Sequence, residues 1–106
     1  MRIQADKEIV GLDGKPMLAS ANDSTSATVG KVIANILIGP KTPEKKFDSF
    51  KALELGRKFY GDSIVIVDKA DFGIIEKMVE KNKMLHDLVL GQVMETLADA
   101  REDGAE

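Results

Sequence analysis

The apolar positions of this chain change period several times, and each change marks an element. Ile3, Ile9, Val10 and Leu12 lie in a stretch that reads as extended and arrives at Asp13-Gly14, after which Lys15-Pro16-Met17-Leu18 returns. Asp-Gly favours a tight turn because glycine takes positive φ without a steric cost, so a small β-hairpin is predicted within residues 1–19. Pro16 has no N–H to give to a ladder, which makes the returning strand short or places it at an edge. Residues 19–27 are a run of small and polar side chains and are predicted as a loop.

From Thr28 the spacing becomes helical. Val29, Val32, Ile33, Ile36 and Leu37 fall on one helix face, with Ser26 or Thr28 to cap the start and Gly39-Pro40 to end it. Thr42-Pro43-Glu44 then has the features of a second helix start: a capping hydroxyl, proline at the first helical position and an acid where the helix dipole favours one. Phe47, Phe50, Leu53, Leu55, Phe59 and Tyr60 cover a wide arc of this helix before Gly61. With most of the aromatic residues on it, the helix is expected to cross the centre of the core.

Ile64-Val65-Ile66-Val67 is an unbroken β-branched run, predicted as a short buried strand. Asp68 is placed to cap a third helix, with Asp71 as an acidic form of the capping box. Phe72, Ile75, Met78 and Val79 form its inner face, while Glu76, Lys77, Glu80 and Lys81 form its wet side. Asn82-Lys83 break it. A last helix is predicted from about residue 85 to residue 100, with Leu85, Leu88, Val89, Val93 and Leu97 on one side and Leu90 and Met94 widening the stripe. The order describes an α+β fold, mostly helical, with about four helices, a small N-terminal β-hairpin and one further short strand able to pair with the N-terminal one. Residues 1–100 read as a single compact domain, and residues 101–106, which lack an apolar anchor, as a frayed acidic tail.

Composition narrows the function. The chain has 106 residues, 43% hydrophobic and 31% charged, with no cysteine and a net charge of −3. That is globular composition, without a disulfide framework, thiolate metal site or thiol nucleophile. The N-terminal stretch turns charged before any apolar run of signal-peptide length, and no window has the length of a membrane span, so a soluble protein of the cytoplasm is expected. Charge is uneven: residues 40–60 carry six basic and three acidic side chains, and residues 84–106 one basic and six acidic. Nucleic-acid binding needs a strongly basic face. Glu44, Asp48 and Glu54 interrupt the only basic stretch, and the last helix offers Gln92 and Arg101 against Asp87, Glu95 and Asp99, so no nucleic-acid partner is expected.

Catalytic signals are weak. His86 is the only histidine; beside Asp87 it has the makings of a base, but no nucleophile is marked as its companion, and a surface or capping role is preferred. Asp68 and Asp71 flank a helix start and Asp62 precedes the strand; capping explains Asp68 and Asp71 more simply than an oxygen-ligated cation, and the scattered glycines match no phosphate-binding loop. Gly30, Gly56, Gly73 and Gly91 fall inside predicted helices, where they read as sites of close packing. Neither a cofactor nor a metal is expected.

The Asp13-Gly14-Lys15-Pro16 turn, the stretch KFDSFKALELGRKFY from Lys46, SIVIVDKADFGIIEKMVEK from Ser63 and LVLGQVMETLAD near the end together resemble a group of small, mostly uncharacterised proteins of tailed bacteriophages and prophages, over nearly the whole chain. The resemblance implies a viral context in the host bacterial cytoplasm and carries over no site residue. The expected function is a non-enzymatic protein–protein interaction module, an early modulator or inhibitor of a host protein. The alternative is a virion-assembly or structural adapter that self-associates. Either use points to the last helix, where Leu90 and Met94 would be buried by the partner while Glu95 and Asp99 steer its approach.

Overall fold

In chain order the elements are β1 (Arg2–Gln4), β2 (Leu18–Ser20), β3 (Asp23–Ser26), α1 (Val29–Ile38), α2 (Ser49–Gly61), β4 (Ile64–Ile66), α3 (Lys69–Glu80) and α4 (Asp87–Gly104), in a computed structural model that describes residues 1–20 and 23–104. The mostly helical α+β architecture is as the sequence pattern predicts. β1 pairs antiparallel with β4, Arg2 opposite Ile66, Ile3 opposite Val65 and Gln4 opposite Ile64, so the late β-branched run does join the N-terminal strand. Ile3 and Val65 face the helices and are buried.

The Asp13-Gly14 turn is present. Gly14 has φ +81°, the Gly11 N–H donates to the Lys15 carbonyl at 2.9 Å, and Val10 bridges Pro16. Beyond it the chain departs from expectation, because part of the predicted 19–27 loop is strand, with β2 antiparallel to β3. The reason is non-local. The Ile9 carbonyl accepts from the Met17 N–H, the Ile9 N–H donates to the Ala27 carbonyl, and the Ala27 N–H donates to the Met17 carbonyl, all within 2.7–2.9 Å. These bonds lay the segments around residues 9, 17 and 27 side by side, and the backbone pairing overrides a composition poor in strand formers.

Thr28 caps α1, its hydroxyl accepting from the Lys31 N–H at 3.2 Å, and Val29, Ile33, Ala34 and Leu37 are buried. Gly30 sits where α1, α2 and the chain after β1 converge. Its N–H donates to the Ala5 carbonyl at 2.8 Å, and a Cβ placed on it would come within 2.2 Å of the Phe59 carbonyl oxygen. Gly56 also meets its expected role, with a Cβ falling 2.9 Å from Ile38. Gly73 and Gly91 do not, since the space over each is open to 4 Å.

The second helix is shorter than its signals predict. α2 starts at Ser49, where the Asp48 carboxylate accepts from the Lys51 N–H at 2.8 Å; Thr42 and Pro43 lie in a preceding turn closed by a bond from the Lys45 N–H to the Thr42 carbonyl. Phe47, 8% exposed, anchors that turn in the core. The expectation of an aromatic helix through the core centre is corrected too: Phe59 is buried, but Phe50 and Tyr60 are 88% and 58% exposed. Ala52, Leu55, Gly56 and Phe59 make the inner face, and small residues there let α2 lie close against α1.

Asp68 caps α3 as predicted, accepting from the Asp71 N–H at 2.8 Å. Phe72, Ile75, Met78 and Val79 are buried on one side. The Asn82 side chain accepts from the Met84 and Leu85 N–H groups, which turns the chain into α4. α4 continues to Gly104, past the predicted end at residue 100, because Arg101 is held: its guanidinium pairs with Glu76 and lies 5.6 Å from the centre of the Phe72 ring. Residues 105 and 106 of the predicted tail lie outside the described residues.

Candidate interaction surfaces

The predicted partner-binding residues on α4 divide into two groups. Val93, Thr96, Leu97 and Ala100 are buried and form the helix's inner stripe. Leu90 and Met94 flank that stripe and pack half-buried against the core, so much of the apolar width read from the sequence closes the domain itself. Glu95 and Asp99 are exposed on the opposite flank. Consecutive helical residues are turned about 100° apart, which separates Met94 from Glu95, and exposed Gly91 and Ala98 lie between the two flanks.

A second polar feature of α4 ties it inward. The Gln92 amide accepts from the Val10 N–H at 2.9 Å and donates to the Val10 carbonyl at 2.7 Å and to the Leu88 carbonyl at 2.9 Å. Sequence reasoning weighed Gln92 only as a base reader and missed this role, for which the sequence holds no local signal.

The exposed apolar side chains concentrate elsewhere. On the outer face of α2, Phe50, Leu53, Arg57 and Tyr60 recur at i, i+3, i+7 and i+10, with the three apolar members 88%, 44% and 58% exposed. Lys31 of α1 sits 5.6 Å from the centre of the Tyr60 ring, and Ile38, at the end of α1 beside Gly56, is 57% exposed. This face therefore combines aromatic surface with cations. Along one margin Glu54 pairs with Lys58 at 3.4 Å. Along the same margin, Lys51 reaches Asp71 of α3 at 3.2 Å, and hydrogen bonding to that carboxylate raises the Lys51 pKa above its ordinary 10.5. A raised lysine pKa favours the folded state below about pH 10.5 and loses that contribution only in stronger alkali, so the clasp is intact at neutral pH.

A groove of about 900 Å³ opens between the α1–α2 turn and the α3–α4 turn. Ile36, Pro40, Pro43, Met78, Met84 and Leu85 supply its apolar wall, and Lys81 and Lys83 stand on its rim. Met84 is 88% exposed. A flexible thioether at such a position adapts its packing to what it meets.

No protein-family profile, curated protein or solved structure matches the chain. Its chemistry is therefore read from its own residues. His86 is exposed, and its backbone carbonyl accepts from the Val89 and Leu90 N–H groups at the start of α4. Asp68 is occupied as a cap and Asp71 by Lys51. Among the described residues, no three histidine, cysteine or acidic side chains are grouped to hold a metal ion, and no helix is long and apolar enough to cross a membrane.

Proposed function

We propose that this protein is a non-enzymatic interaction module of phage type, acting in the host bacterial cytoplasm by presenting the outer face of α2 to a protein partner. The observation that carries the reading is the exposure of Phe50, Leu53 and Tyr60 on one helix face around Arg57. A single exposed apolar residue is ordinary, whereas several gathered on one face of a small domain commonly mark an interface. Lys31 and Arg57 on that face suit a partner whose contacting segment mixes apolar and acidic residues, since charge complementarity speeds and orients association. Early modulation of a host protein is the use that fits an interface of this kind.

A photo-cross-linking phenylalanine analogue at position 50 tests the reading. It should capture one partner from host lysate, and Leu53→Glu should abolish the capture without unfolding the domain. The reading fails if the captured set equals that obtained from the same analogue at the polar position Lys77. A second reading, a self-associating virion-assembly adapter, draws on α4, where Leu90 and Met94 keep half-exposed flanks beside the open space over Gly91. It predicts a concentration-dependent oligomer that Met94→Glu dissolves in sedimentation experiments.

A further inference from the structure

β4 is an edge strand, and the parity of its ladder decides what its outer side offers. The Val67 N–H donates to the Met1 carbonyl at 2.9 Å and the Met1 nitrogen to the Val67 carbonyl at 2.6 Å, while the Ala5 N–H donates to the Ser63 carbonyl at 2.9 Å. Hydrogen-bonded and non-hydrogen-bonded pairs alternate along an antiparallel ladder, so Ile3 and Val65 bond each other between these two points. The N–H and C=O groups of Ile64 and Ile66 must then point away from β1. Among the described residues no other strand lies beside β4, and no further backbone hydrogen bond uses those groups. The side chains of Ile64 and Ile66 are 43% and 71% exposed on the face turned from the core. Backbone donors, backbone acceptors and apolar side chains are thus all presented along one short edge.

We propose that this edge receives an extended segment of a protein partner by strand addition, a segment with alternating apolar residues and a lysine or arginine at the end that meets Asp62. Main-chain hydrogen bonds supply affinity in this mode, and the side chains flanking the strand supply selectivity. The charges define the end. Beside Ser63 lie exposed Asp62 and Asp6, the latter donating its N–H to the Ser63 carbonyl; beside Ile66 lie Arg2, Asp68 and Lys69, which leave a net positive charge, so the acidic end of the edge is the one at Ser63. A second copy of this chain is the poorer occupant. The two-fold antiparallel register that pairs Ile64 with Ile66 places Asp62 of one copy opposite Asp68 of the other, at both ends, and like charges directly opposite destabilise a ladder. The surface is separate from the outer face of α2, so the inference stands or falls independently of that reading.

Amide hydrogen exchange and peptide titration test it. In the free protein the Ile64 and Ile66 amides should exchange about a hundredfold faster than those of Val65 and Val67. A capped heptapeptide of alternating valine and threonine with a single lysine at one end should shift and protect the Ile64 and Ile66 amides. The same peptide ended by glutamate should bind about tenfold more weakly at low salt, and one carrying N-methyl groups on its edge-facing amides should not bind. The double variant Ile64→Lys, Ile66→Lys alters only exposed side chains, so it should keep the fold and lose the peptide. The inference is overturned if the free monomer already protects Ile64 and Ile66 as well as Val65, if the peptide shifts amides elsewhere, if the glutamate-ended peptide binds equally well, or if the edge is occupied by a second copy in sedimentation experiments.

Discussion

Gln92 grips Val10 at both backbone groups, accepting from its N–H and donating to its carbonyl across 82 residues of sequence. A side-chain amide here does the work of a neighbouring strand, satisfying donor and acceptor together. Gln92→Ala should cost about 2 kcal/mol, because two partly buried backbone groups lose their partners together. Gln92→Glu keeps the acceptor but sets a carboxylate against the Val10 carbonyl. Its deficit should therefore be largest at neutral pH and shrink as acid protonates the side chain. Urea denaturation at pH 7 and pH 4 measures both effects.

The helical glycines should respond with opposite signs. Gly30→Ala drives a methyl group into the Phe59 and Ala5 backbone and should destabilise by about 3 kcal/mol or more, as overpacking against rigid atoms does. Gly73→Ala and Gly91→Ala enter open space and should each stabilise by about 0.5–1 kcal/mol through helix propensity. Thermal melts of the three variants check the contrast.

For the start of α2, Asp48→Ala should cost about 1 kcal/mol by removing the cap on Lys51, whereas Pro43→Ala should change stability by less than about half that. Equal effects would mean that the helix begins earlier, at Thr42.

Ile33 is fully buried in α1, and Ile33→Asp should unfold the domain, since an unpaired carboxylate in an apolar core has no compensating partner. Loss of the cooperative transition in circular dichroism is the expected outcome.

What the sequence discloses here is what acts over a few residues. The caps at Thr28 and Asp68, the α1 face from Val29 to Leu37, the α3 face from Phe72 to Val79 and the turn at Gly14 all follow from spacing and local hydrogen bonding. The start of α2 is misplaced by the sequence because Thr42-Pro43-Glu44 carries a full set of start signals, yet the chain makes only a turn there, Phe47 is buried, and Asp48 caps the helix. β3 was invisible because its pairing depends on segments brought together by the fold. The α4 stripe shows how apolar width can mislead. In so small a domain Leu90 and Met94 help to close the core, and the aromatic side chains assigned to the interior include the most exposed ones on α2.

The hold of Gln92 on Val10 also has a consequence during synthesis. A ribosome adds about 5–20 residues per second, so the N-terminal segment waits roughly 4–16 s, the time to translate the intervening 82 residues, before its partner on α4 exists. The pairing of β1 must wait similarly for β4. Through that interval Ile3, fully buried in the finished domain, has neither its strand partner in β4 nor α4 to cover it. The nascent chain therefore carries an uncovered apolar N-terminal strand for most of its synthesis, and the domain reaches its final shape only once α4 has cleared the exit tunnel.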